Sequence, residues 1–493
     1  MTQQNLRINN PSVTLYAFHL RTDMATGVVA DAAHLWEKLA QLSNYFSIPE
    51  LQQLPEKLIC YQNGNYHPDG ELGQRTNYLE LIQYKPAELR FSPVTQDELT
   101  LSGSAYPLRL HDTYAADFTV CYQNQAVDVN QLHRLNPEGC LMPSHIQASI
   151  GQTLLLYAEP LKLKNALAAK MFADECVKAL LQVAKPPFLS NQGILFGSPI
   201  FEYEAIPKFD APPHPNELTH ILVWLRKHQQ TLELAGKANR WLINLFNCRN
   251  KILFAYHQAY QSNDSARQIY NALDNKSQQM HQLPKAQEKR LEVLETVLNN
   301  TSDDTFAYAQ HLRNLDDHRT TIQTNTTNYA KWLEYIREIS LPTDDLTFLD
   351  DFHNKTSQHH QQQIAIYFDY LKPGHQLFEQ LTTTILGLVH IGEQKQQMIR
   401  ARKFEFLITF IGAAVGTGAI SATVIPEPPN LVELVSQFFD IAQLPLFETP
   451  QWLNNFALPE NLLKVMFHII IGGMTALVFT PLISFISRLF TPK

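Results

Sequence analysis

FLITFIGAAVGTGAISATVI, residues 406–425, and VMFHIIIGGMTALVFTPLISFIS, residues 465–487, are the stretches on which the reading of this chain turns. They run for 20 and 23 residues without an Asp, Glu, Lys or Arg. At a rise of about 1.5 Å per residue, either run as a helix is about 30 Å or longer, the thickness of the hydrocarbon core of a bilayer. A buried helix of a soluble protein is the competing reading, yet two such runs near one end favour a transmembrane hairpin. Working outward, Arg400, Arg402 and Lys403 precede the first run, and Arg488 and Lys493 follow the second. The segment between them carries Glu427, Glu433, Asp440, Glu448 and Glu460 against Lys464 alone. Positive charge gathers on the cytoplasmic side, so the 426–464 loop is expected outside and both termini in the cytoplasm. Trp452, Phe456 and the apolar LVELVSQFFDIAQLPLF suit either the outer interface or a neighbouring subunit.

On a helical projection of the first run, Thr409, Gly412, Gly416 and Thr423 share a face, and Leu407, Ile411, Val415 and Ile425 lie opposite. Small and hydroxyl residues on one side serve close helix packing, a literal G-x-x-x-G among them, or line a polar conduit. Neither run holds a charge near its middle, so a proton relay has no candidate there.

The whole chain has 493 residues, 45% hydrophobic and 17% charged, too apolar for disorder and long enough for two to four structural units. Its formal charge of -8 argues against a phosphate-gripping surface, and no nucleic acid partner is expected. Cys60, Cys121, Cys140, Cys176 and Cys248 are scattered, with no metal-binding or disulfide spacing, which fits a reducing compartment. MTQQNLRINNPS lacks an apolar core and does not read as a cleaved secretory signal.

Residues 1–206 read as an α/β domain. Strands are expected at Val13–Leu20, Tyr78–Gln83, Leu99–Leu101, Phe118–Tyr122, Thr153–Tyr157 and Ile194–Tyr203, and helices at Asp31–Leu42 and Leu161–Val183. Asn63-Gly64 and Pro137-Glu138-Gly139 are turn signals. The order of elements is mixed, with no regular βαβ series, so a Rossmann-like sheet is not expected. Pro207, Pro212, Pro213 and Pro215 mark a linker over 207–215, and residues 216–403 read as a helical bundle or stalk. Leu218, Ile221, Leu222, Leu225 and Leu232 suggest its first helix, and further helices are expected at 250–275, 284–300, 304–338, 344–371 and 375–403. Phe378, Leu381, Ile385 and Leu388 follow coiled-coil spacing, either as a self-associating seam or as one contact within a bundle. The remaining segments are spans at 404–425 and 465–487, the external loop at 426–464 and a short tail at 488–493.

No nucleotide-binding, nucleophile-elbow, zinc-protease or EF-hand pattern occurs, so a catalytic assignment has no motif behind it. The densest polar cluster is Arg109-Leu110-His111-Asp112-Thr113-Tyr114, with Asp117 five residues after Asp112; Arg109, His111 and Asp112 are candidates for a cytoplasmic ligand or ion, and a capped turn is the plainer reading. His353, His359, His360 and His375 stand near Asp344, Asp345, Asp350 and Asp351. These carboxylates suit a solvated acidic face, or weak binding of a divalent cation; no other cofactor is implied, and no metal ligand is assigned.

A cytoplasmic α/β domain, a helical stalk, a basic collar and two C-terminal spans with both ends inside resemble the layout of the CorA-type divalent cation transporters. That family carries Gly-Met-Asn at the outer end of its first span, where this chain reads Ser421-Ala422-Thr423-Val424-Ile425-Pro426-Glu427. The resemblance covers the order of segments only. It implies a homo-oligomeric, channel-like assembly in a prokaryotic inner or internal membrane, a pentamer among its candidate states. The expected function is therefore a homo-oligomeric channel or transporter for ions, gated by its cytoplasmic domain. The alternatives are a membrane-anchored ligand sensor or interaction protein without conduction, and a tethered enzyme using His111 and Asp112.

Overall fold

Alternation of side chains builds the sheet of the N-terminal domain. In β1, Arg7–Leu20, Val13, Leu15 and Ala17 point to one face while Ser12, Thr14 and Tyr16 point to the other. The same alternation recurs in β4, Thr113–Cys121, where Phe118 and Val120 join the apolar core and Asp117 and Thr119 face away from it. The computed structural model describes residues 6–23, 27–71, 77–161, 165–205, 211–281, 283–284 and 287–393.

The other strands of the main path are β2, Tyr78–Glu80; β3, Leu99–Leu110; β5, Gly151–Pro160; β6, Phe188–Leu195; β7, Ser198–Ala205; and β8, Thr219–Leu225. They run in the order β6-β7-β8-β5-β1-β4-β3-β2, and three short strands pair off this path to complete eleven. Every pairing along the path is antiparallel except β5 with β8. The apolar face packs under α1, His34–Gln41, and α2, Ala166–Leu181, with Leu35, Trp36, Phe172 and Val177 in one continuous core.

β8 corrects the reading of Leu218–Leu232 as the start of a helix. Ile221, Val223 and Leu225 enter the apolar core, whereas His220, Leu222 and Trp224 face the other way. A central strand covered on both sides is apolar on both sides, so its spacing also satisfies a helical template. The helix begins only at Thr231.

Three long helices follow: α3, Thr231–His281; α4, Gln287–Glu338; and α5, Gln358–Glu393. An α/β domain with long helices after it therefore matches the expected fold class as far as the described residues reach. The chain divides into two compact units, and each long helix contributes to both. The first unit joins the sheet to residues through Gln261 and to Leu315–Ile366. In it Trp241 of α3 meets Tyr335 of α4 at 5.7 Å, and Ile194 of β6 bridges to Asp345.

The second unit includes the described residues of 262–314 and 367–393. Phe378 meets Tyr308 in a tilted ring contact at 5.2 Å, and Ile385 packs with Leu294, Val297 and Leu298. The coiled-coil spacing thus serves a helix pair inside the chain, with Leu381 and Leu388 half-buried against the same cluster. Gly374 permits the close approach, because a Cβ there would stand 2.3 Å from Tyr308 Oη. Among the described residues no helix is long and apolar enough to cross a membrane. The runs 406–425 and 465–487, the loop between them, and Thr409, Gly412, Gly416 and Thr423 lie outside the described residues.

Candidate functional site

Strand register lines up polar residues on the sheet face that α3 crosses. One row runs Tyr106, Asp117, Tyr16 and Thr153 across β3, β4, β1 and β5. The next row on that face runs Ser104, Thr119, Thr14 and Leu155. α3 anchors over these rows by stacking Phe246 on Tyr16 at 5.3 Å and by Asn239. Between sheet and helix lies a groove of about 670 Å³, floored by both rows except Thr153, which is buried beneath. Leu232, Ala235 and Gly236 form its helical wall, and Glu80 with Lys85–Glu88 forms its rim. A Cβ on Gly236 would meet no atom within 4 Å, so the groove is open at that point.

Asp117 is the unusual group in it. Asn239 Nδ2 donates to its Oδ2 at 2.9 Å, Thr119 Oγ1 donates to its Oδ1 at 3.3 Å, and Tyr16 Oη donates to Asn239 Oδ1 at 3.1 Å. A carboxylate offers about four acceptor positions, and these two donors are neutral. Burial pushes its carboxyl up to about 6, helped by the nearby Glu88 and opposed by the bonds from Asn239 and Thr119. Several other inward carboxylates face cations or imidazole: Glu71 has Arg21 and Arg109, Glu159 has Arg226, Glu202 has His220 and Glu204 has Arg249. Among the described residues Asp117 has no ion pair. On the rim, Tyr106 Oη and Lys85 Nζ donate to Glu80 at 2.7 and 2.9 Å, holding that carboxyl below its usual value. Tyr157, another lining residue, has a buried hydroxyl without a partner among the described residues.

The residues singled out in the sequence go elsewhere. Arg109 Nη1 donates to the fully buried Glu71 at 2.7 Å, within a network that adds Arg21 Nε at 3.0 Å and Tyr114 Oη at 2.5 Å. His111 occupies the β3–β4 turn at φ 55° and is exposed. Asp112 pairs with Lys251 of α3, and its carbonyl accepts from the backbone of Arg21 and Thr22. Arg109, His111 and Asp112 do not converge on one space. The acidic segment is likewise occupied: Asp350 pairs with Arg337, Asp351 with Lys355, and Asp344 accepts from the backbone of Phe196, Gly197 and Leu341. His360 stacks on Tyr256 at 3.8 Å.

Glu202, Glu204 and His220 place ligand-type atoms within 4.8 Å of one another. Both imidazole nitrogens are engaged, Nε2 by Glu202 and Nδ1 by Thr153, each at 2.9 Å, and Arg249 sits on Glu204. A metal ion there would have to displace the guanidinium from Glu204 and break both bonds of the imidazole, so these groups are already engaged with one another.

No protein-family model, curated protein or solved structure matches the chain. The roles of these residues therefore rest on geometry. Sequence reasoning passes over Tyr16 and Asn239 and reaches Asp117 only as a neighbour of Asp112, although the hydroxyl-rich alternation Ser12, Thr14, Tyr16 against Val13, Leu15, Ala17 is there to be read. That alternation says that one face is polar; only register shows that Asp117 lies beside Tyr16.

Proposed function

We propose that the chain is a membrane-anchored, ligand-responsive protein. The groove beneath α3 takes a small molecule, and the uncharged runs at 406–425 and 465–487 hold the chain in a prokaryotic inner or internal membrane. The observation that carries the ligand-binding part is Asp117, an ionisable group set in an open groove with no cation facing it. The membrane part rests on the length of the two runs and on the charge bias around them.

Conduction is the second reading, favoured by the one-sided placement of Thr409, Gly412, Gly416 and Thr423. Two helices cannot enclose a polar path, so this reading needs several copies around an axis, in the CorA-like layout.

The ligand-binding part is tested on the full-length protein in nanodiscs. Wild type and Gly236→Leu are dialysed against a cell metabolite extract, and bound molecules are identified by mass spectrometry after denaturation. The leucine enters the groove from an open helical position, so the fold is retained. A molecule held by wild type and lost from Gly236→Leu is expected; equal retention by both, or by neither, overturns the groove assignment. Topology is tested by cysteines placed in 426–464. They should react with an impermeant thiol reagent outside intact cells while half-buried Cys121 stays unlabelled, and the reverse pattern overturns the orientation.

A further inference from the structure

We propose that the ligand of this groove is an organic primary amine, bound as its ammonium ion with the nitrogen on Asp117. The inference rests on the groove being the ligand site and adds the chemistry of what fills it.

Charge is the first argument. Along the rim, Glu80 is paired with Lys85 and Glu88 with Arg90, and Arg240 is taken up over the Tyr78 ring at 4.1 Å, which leaves Asp117 as the groove carboxylate without an ion pair among the described residues. A neutral polyol would hydrogen-bond to it without supplying the missing charge, whereas an ammonium makes a charge-assisted bond. A hard divalent ion is a poorer match, since it takes six or more oxygen ligands and the groove offers one free carboxylate among aromatic side chains.

The walls give the second argument. Tyr16 and Tyr106 flank Asp117 as its cross-strand neighbours, and Tyr157 and Trp224 line the same groove, edge to face at 5.9 Å. Aromatic rings attract a cation and pack the hydrocarbon attached to it. The hydroxyls of Thr14 and Thr119, bonded to each other at 2.8 Å beside Asp117, can accept the remaining ammonium N–H groups. That feature distinguishes a primary amine from a quaternary one, which has no N–H to give.

Calorimetric titration of the full-length protein in nanodiscs tests this with 2-phenylethylamine, the neutral 2-phenylethanol, and the N,N,N-trimethyl derivative of the amine. Saturable binding of the amine is expected, roughly 10-fold or more tighter than either control. Asp117→Asn should remove that advantage, so that amine and alcohol bind alike. Amine affinity should also fall as the pH drops through about 6, where Asp117 takes up a proton among Tyr16, Tyr78, Tyr106, Thr14, Thr119, Asn239 and Glu88, with Arg240 beyond Tyr78. Alcohol bound as tightly as amine, with both lost in Gly236→Leu, would overturn the amine assignment and leave the groove standing. Trimethyl derivative bound as tightly as the primary amine would overturn the role of the N–H groups. Amine binding that survives both substitutions, or no binding of any probe, overturns the inference, while the metabolite-retention experiment judges the groove independently.

Discussion

Replacing Asp117 by Asn should stabilise the protein at neutral pH, against the usual cost of altering a half-buried polar residue. Burial raises its carboxyl from 3.8 to about 6, so between those values the folded state binds a proton that the unfolded state does not. Stability therefore decreases as pH rises through this window, and the penalty is fully present above about 6. A rise of that size corresponds to about 3 kcal/mol on the ionised form. Asparagine keeps the shape, can accept from Asn239 Nδ2 and can donate to the Thr119 hydroxyl once that rotor turns. Small losses in those bonds reduce the expected gain to about 1–3 kcal/mol, or a few degrees in melting temperature for a unit of this size. The assay is thermal unfolding of wild type and Asp117→Asn in the same nanodiscs, followed by tryptophan fluorescence across a pH series. The variant should melt higher at pH 8, and the gap should close as the pH falls towards the ordinary aspartate value. A variant that melts at or below wild type at pH 8 would refute the argument that this carboxylate lacks compensation.

Other substitutions separate the groove from the framework. Gly236→Ala should stabilise by about 0.5–1 kcal/mol in chemical denaturation, because the helix gains propensity and the added methyl meets nothing. Gly374→Ala should cost about 1–3 kcal/mol and speed amide exchange around Leu294–Leu298, since its methyl would press on the Tyr308 and Tyr270 rings. Arg109→Met should cost about 3 kcal/mol by removing a cation from fully buried Glu71, whereas Asp112→Ala, at a 46% exposed carboxylate, should cost about 1 kcal/mol or less. In liposome flux, Gly416→Leu and Thr409→Val should reduce any conduction while Val415→Leu should not; equal loss in all three would mean that the wrong helix face was chosen.

Local chemistry in the sequence reported local structure well. Asn63 and Gly64 both adopt positive φ, 52° and 76°, in the tight turn their pairing implies. The alternations beginning at Val13 and Thr153 became central strands, and the helices expected at 31–42 and 161–183 formed with somewhat tighter ends. What escaped was set by distant partners. Thr219–Leu225 is apolar on both sides because strands and layers from elsewhere cover it, and the Phe378–Leu388 spacing could not say whose helix it faces. Asp117 drew notice only as a neighbour of Asp112. Five residues separate the two in sequence, but strand geometry sends one to Lys251 and the other into the groove.

The position of β8 also sets a timetable for making the protein. The strand arrives after the proline-rich segment yet slots between β7 and β5, so the sheet of residues 1–205 carries two unmated inner edges until residue 225 has been synthesised. The rest of this unit arrives later still, with α3 and then Leu315–Ile366. At about 5–20 residues per second, a ribosome needs roughly 8–30 seconds to pass from the end of β7 to Ile366. During that interval the nascent chain exposes strand edges that can pair with another nascent chain. Chaperone demand, and the yield of any truncation ending near residue 206, follow from this ordering: such a fragment would end one strand short of closing its own sheet.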